Sequence, residues 1–288
     1  MSGRSIMKLF LFGFLVSVAS VREPAAVPLR CVTQVRHTQH RQAAGDSAGR
    51  AADGNAALVC FPELNITGYC NRPALSAAAL SLSGPEVKAA SDIAAACGIV
   101  ILAGLAEKDA AGRVFASHLV LKPDGSVQRY RKVHIAPPER GIFSAGDAVP
   151  VFDAAGIRFG IQLCYDAHFP ELSAVMTAKG AEVIFIPHAS PRGDAEEKHT
   201  SWMRHLPARA FDNSVFIIAA NQTGENCKGL TFPGNVVVIG PSGEVIGKDL
   251  SGGEGIFFAD LKQKDLEAVR SHAMRHFFPN RRPELYTF

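Results

Sequence analysis

Several features common in other protein classes are missing from this chain of 288 residues. Its six cysteines, at positions 31, 60, 70, 97, 164 and 227, form no CxxC pair, and no histidines stand beside them at zinc-ligand spacing. A metal site or a dense disulfide framework is therefore not expected. The 30 Lys and Arg residues are scattered among 27 Asp and Glu, with no block of basic residues, so no nucleic-acid partner is expected. One long apolar run, residues 9–21, is shorter than the roughly 20 residues a membrane-spanning helix needs, which argues against stable membrane insertion. From residue 56 onward there is no linker rich in Pro, Gly and Ser and no internal repeat, so one domain is expected there. What is present, 47% hydrophobic and 20% charged residues, is the composition of a soluble globular protein of enzyme size.

Residues 1–55 stand apart. Two readings of the apolar run stay open. As a signal peptide it would take Arg4 and Lys8 as its basic end and Ser17-Val18-Ala19 as a small-residue cleavage site, and residues 1–19 would be lost on export. As an N-terminal core strand it would leave the protein in the cytoplasm, the expected location. Residues 36–55, rich in His, Gln, Arg, Ala and Gly, show no amphipathic period, and no element is assigned to them.

Beyond residue 56, short apolar runs alternate with helical stretches and turn signals, which is α/β organisation. Strands are expected at 57–61, 99–105, 114–121, 127–135, 156–163, 183–187 and 215–220, with a hairpin at 235–239 and 244–247 around Gly240-Pro-Ser-Gly243. Helices are expected at 86–97, 171–179 and 199–213, the last despite Pro207. Hairpin-linked and crossover-linked strands together point to mixed sheets.

Cys164 stands where the apolar strand 156–163 runs into a turn ahead of a helix, and the positive end of that helix favours thiolate. Glu63, two residues past another buried strand, is placed to act as a general base. Lys132, near the end of a third strand, offers positive charge to an oxyanion, aided by the backbone N–H of Tyr165. Singly, each residue has an ordinary explanation: a structural buried thiol, an exposed loop carboxylate, one charge in a basic strand. Their joint occurrence at the ends of separate strands is what points to acyl transfer onto sulfur.

Phe61-Pro-Glu63 with Thr67-Gly-Tyr69, then Tyr130-Arg-Lys132-Val-His134, then Cys164-Tyr-Asp166 with Phe169-Pro-Glu171, resemble in order the signature blocks of the nitrilase superfamily of carbon–nitrogen hydrolases. The resemblance implies that Glu63, Lys132 and Cys164 are the catalytic triad. It further implies that Glu139, in Pro137-Pro-Glu-Arg-Gly, supports the triad and orients substrate. The implied fold is α/β, a four-layer α-β-β-α sandwich with mixed sheets, assembled as a homo-oligomer, dimer or larger, with no cofactor. Residues 56–288 carry this domain. Residues 1–55 are its atypical segment, a signal peptide or a divergent first strand-helix unit in which residues 29–35 supply the strand but the helical pattern is missing.

The nitrilase branch follows its cysteine with Trp-Glu, whereas Tyr165-Asp166 resembles the amidase and N-carbamoyl hydrolase branches. A small amide or carbamoyl substrate is therefore expected, cleaved through a thioester with release of ammonia. Nitrile hydrolysis and a catalytically silent binding role remain the alternatives. An arginine soon after the nucleophile would suggest a carboxylate clamp, but Ala167 and His168 occupy that region. Tyr69, His168 and His188 are the candidate substrate-binding side chains; for the two histidines, a surface or structural role is the ordinary alternative.

Overall fold

The computed structural model describes residues 10–11, 16–17, 29–32, 38–39, 41–69, 74–226 and 229–286. Cys70, Cys227 and, from the signal-peptide reading, Arg4, Lys8, Val18 and Ala19 lie outside the described residues.

Among the described residues, two large sheets form the body of the molecule, beside two short two-stranded pairs. In the first, Leu58–Cys60 lies between Leu29–Val32 and Val100–Lys108, parallel to both. Val114–Leu121 and Val127–Arg131 extend it by antiparallel pairing, and Phe257–Leu261 and Val16–Ser17 complete seven strands at the other edge. The second sheet has six strands, in the order Val245–Asp249, Val236–Ile239, Phe216–Asn221, Val183–His188, Ile157–Ile161, Phe152–Ala154. Its three central members run parallel, and the first pair is the hairpin expected around Gly240.

Strand alternation decides which side chains meet. Leu58, Cys60, Val100, Leu102 and Ala116 share one buried cluster with Phe159, Ile161, Phe185 and Val237 of the other sheet, forming the core between the sheets. Their neighbours Val59, Ile101, Ala103 and Leu119 point the other way, into a second cluster with Ala48, Ala51, Val87 and Ala94 of the helices Arg41–Asp53 and Pro85–Cys97. The helices Pro170–Ala178 and Leu206–Asn213 pack on the six-stranded sheet through Leu172, Met176, Leu206 and Ala210. The result is the four-layer α-β-β-α sandwich, an α/β fold with mixed sheets.

Three departures from the sequence reading have physical reasons. A helix of 13 residues, Arg41–Asp53, stands where no amphipathic period is visible, because it docks through the small side chains Ala48 and Ala51 instead of a stripe of large apolar ones. The single helix expected at 199–213 is two, Ala195–Met203 and Leu206–Asn213. Pro207, lacking an N–H, sits in the first turn of the second, where no hydrogen bond is lost. The strand carrying Lys132 ends at Arg131, which leaves Lys132 just past the ladder.

Candidate active site

Within each sheet, the candidate catalytic side chains follow strands of shared direction. Leu58–Cys60 and Val100–Lys108 are parallel, and two antiparallel steps bring Val127–Arg131 into the same sense, so Glu63 and Lys132 emerge at one end of their sheet. Cys164 follows Ile157–Ile161, and Ala189 follows the parallel strand Val183–His188 of the facing sheet.

The turn bearing Glu63 is stitched along its neighbouring strand. Phe61 and Ile66 donate backbone N–H bonds to Leu102 and Gly104, while the Asn65 and Thr67 side chains accept from the N–H groups of Gly104 (2.6 Å) and Ala106 (2.9 Å). Gly104 is required by this close approach, since a β-carbon there would lie 2.4 Å from the Leu64 nitrogen. Gln222 Nε2 holds the Glu63 carbonyl from the other sheet at 2.7 Å.

Lys132 and Glu63 are fully buried. The Lys132 ammonium donates to Glu63 Oε1 at 2.8 Å and to Glu139 Oε2 at 2.9 Å and Oε1 at 3.1 Å. The second Glu63 oxygen accepts from the Ala189 N–H at 3.0 Å. Glu139, in the 3-10 turn Pro137–Glu139, also accepts from the Tyr69 hydroxyl at 3.2 Å and from the Ala136 N–H at 3.3 Å. Burial pushes the Glu63 carboxyl up, Lys132 opposes this and Glu139 adds to it, and the balance lies at about 7. For Lys132, burial disfavours the ammonium, but Glu63 and Glu139 outweigh it and hold the group well above the ordinary lysine range.

Cys164 is half-buried and opens the 3-10 turn Cys164–His168, with a left-handed backbone of φ 47°. The α-helix begins only at Pro170–Ala178, so the thiol does not sit at its first turn. Nor does the environment favour thiolate: burial first, then Glu63, push the thiol up to about 12, with Lys132 pulling the other way. The sulfur therefore rests protonated, which overturns the helix-end expectation. The Tyr165 ring meets Phe169 edge-on at 5.4 Å and leans toward His168 at 5.6 Å.

Of the candidate substrate contacts, Tyr69 is buried against Phe232 and bonded to Glu139. His188 is buried, its Nδ1 within 2.8 Å of the Ile186 carbonyl and its ring 4.6 Å from Trp202. Burial holds it well below the ordinary histidine range, so it is neutral near pH 7. His168 is exposed, its ring 4.6 Å from that of His205.

Sequence reasoning passed over the residue that joins the two halves of the site. Buried Asp166 accepts from the Tyr130 hydroxyl (2.7 Å), the His134 N–H (2.8 Å) and the Leu163 N–H (3.0 Å), so it ties the segment around Lys132 to the turn around Cys164. His134 in turn stacks on Phe169 at 3.7 Å. The sequence signal was the shared motif context of Tyr130, His134 and Asp166. Among the described residues, no group of His, Cys, Asp and Glu converges to hold a metal ion, and no helix is long and apolar enough to cross a membrane. A hydrogen-bonded base beside an ammonium and a thiol can take a proton from sulfur and stabilise charge developing on a carbonyl oxygen.

The family model for carbon-nitrogen hydrolase matches residues 21–271. A nitrilase of Pyrococcus abyssi is 31% identical over 240 residues, 82% of this chain and 88% of that protein. An (R)-stereoselective amidase of a Pseudomonas species is 30% identical over 193 residues, 67% and 69% of the two chains. Among solved structures, a glutamate-to-glutamine mutant of the amidase from Nesterenkonia sp. AN1 shows covalent addition of the acetamide moiety of fluoroacetamide at its active-site cysteine. That chain is similar with a TM-score of 0.71 at 26% identity, over 85% of this chain and 88% of its own.

Proposed function

The chain belongs to the carbon-nitrogen hydrolase family, and from that premise we propose that it hydrolyses a small amide or N-carbamoyl substrate through a thioester on Cys164, releasing ammonia. The observation that carries this reading is the buried Lys132 ammonium clamped between Glu63 and Glu139, with all three charges acting on the Cys164 thiol.

The sulfur attacks the amide carbon while its proton passes to Glu63, whose raised pKa of about 7 suits proton exchange near neutrality. Electrons from the carbonyl double bond move to oxygen. Lys132 stabilises that oxyanion by turning toward it the N–H that makes the longer of its two Glu139 contacts, and the Tyr165 N–H is the second donor. Collapse breaks the carbon–nitrogen bond as protonated Glu63 returns its proton to the leaving nitrogen, and ammonia departs. Water, deprotonated by Glu63, then cleaves the thioester and restores acid and thiol. Glu139 holds Lys132 in place and, with Tyr69, forms the wall behind it. The covalent cysteine adduct in the Nesterenkonia amidase supports the same role for Cys164.

A nitrile is the second reading, favoured by the name of the Pyrococcus relative, while Tyr165-Asp166 after the nucleophile speaks for the amide. Ammonia release from aliphatic amides, ω-amides, N-carbamoyl amines, N-carbamoyl amino acids and nitriles tests both. Turnover of amides or carbamoyl compounds is expected to vanish in Cys164→Ala and Glu63→Gln, with circular dichroism unchanged. Full activity in either variant refutes the mechanism, and consumption of nitriles alone refutes the substrate class.

A further inference from the structure

One cation near the nucleophile has no part in that chemistry. Lys198 lies on Ala195–Met203, and its ammonium donates to the Ser190 hydroxyl at 2.5 Å. Ser190 is itself fixed: its N–H donates to Asn221 Oδ1 at 2.9 Å and its carbonyl accepts from Asn221 Nδ2 at 3.0 Å. The residue before it, Ala189, is the one bonded to Glu63. Lys198 is thus tethered to the residue that follows the one bonded to Glu63, close enough to Cys164 for each charge to act on the other.

What surrounds it is short of negative charge. The carboxylates of its own helix are turned elsewhere, since Asp194 and Glu197 cap each other's N–H groups and Glu196 faces His199. Among the described residues, the ammonium has one hydrogen-bond partner, and it is a neutral hydroxyl. Arg192 adds a second positive charge, and the nearby His188 is shifted toward the neutral form by burial. A half-buried ammonium with a neutral partner, beside another cation and a nucleophile, is a site that an anion completes.

Resting on the amide-hydrolase reading above, we propose that Lys198, held by Ser190, binds a carboxylate on the acyl part of the substrate, so that the preferred substrates are amides of short acids carrying a second, ionised carboxyl group. The clamp that the sequence lacks directly after Cys164 is thereby supplied from the following strand-helix unit.

Succinamate and butyramide differ only in a carboxylate against a methyl group, so their ratio of kcat/KM isolates the contact. Wild-type protein is expected to favour succinamate by about tenfold or more. Lys198→Gln is expected to lower that ratio by about tenfold, chiefly through KM, and Lys198→Arg to retain most of it. A readout independent of turnover is protection of Cys164 from iodoacetamide: succinate is expected to protect the wild-type thiol, and Lys198→Gln to need about tenfold more of it. Equal losses on both amides, together with equal protection in wild type and variant, overturn the proposal. Lys198-dependent protection without hydrolysis of either amide leaves the carboxylate site standing and removes the amidase reading instead. Hydrolysis of butyramide without preference for succinamate and without succinate protection does the reverse.

Discussion

Lys132 and Lys198 both act on the Cys164 thiol, and they are held in opposite ways. Lys132 is sealed from solvent between two carboxylates, every neighbour fixed by a further hydrogen bond. Lys198 is half-buried and leans on a single hydroxyl. On the proposed mechanism, the contrast separates two tasks. Charge that must stabilise a fleeting oxyanion is arranged before substrate arrives, so nothing reorganises during reaction. Charge that selects a substrate is left incompletely paired, so that binding the right molecule completes it.

Removing each lysine breaks the comparison most severely. Lys132→Met leaves two buried carboxylates facing each other and is expected to cost about 3–5 kcal/mol of stability in denaturant unfolding at pH 8. The loss should shrink at pH 5, where Glu63 takes up a proton. Lys198→Gln, with no buried partner to orphan, is expected to stay within about 0.5 kcal/mol of wild type. Comparable losses in the two variants would erase the distinction.

Asp166→Asn sharpens it further. The amide keeps the shape but offers an NH2 group to donors that had a carboxylate, which is expected to cost about 2 kcal/mol of stability. Because Asp166 braces Lys132 against the Cys164 turn, kcat is expected to fall alike for succinamate and butyramide, whereas Lys198→Gln splits them. A change in their ratio in Asp166→Asn would mean that the brace also shapes the carboxylate site.

The smallest expected effect is a displacement on the pH axis. Glu63 must be unprotonated to accept the thiol proton, so kcat/KM is expected to fall as pH drops through about 7. Glu139 is one of the charges raising Glu63. Glu139→Gln removes it, so Glu63 ionises more readily and the acidic limb moves to lower pH, even as the maximum rate drops. An unmoved limb would show that the limb reports some other group.

The candidate catalytic side chains stood out in the sequence because each type is rare in its setting: a thiol, a carboxylate and an amine, each at the end of an apolar run. Their protonation was not legible. Strand and helix order suggested a thiolate at Cys164, whereas burial beside Glu63 keeps the proton on sulfur, and burial depends on how two sheets close over the site. Asp166 stood in a recognised motif, yet its work is done on Tyr130 and His134, partners that only the folded chain brings near. Lys198 left no local trace at all, being one charge on a polar helix. The helix Arg41–Asp53 escaped for a similar reason, since alanine contacts carry no periodic signal strong enough to read.

Glu63 is gripped from both halves of the sandwich, by Lys132 on its own side and by Ala189 and Gln222 from the opposite one. A growing chain makes the acid and the amine first and the sulfur afterwards, so no earlier fragment holds the complete set. Until the halves close, the cysteine has no general base beside it. The complete set of base, ammonium and thiol is thereby a property of the closed sandwich alone.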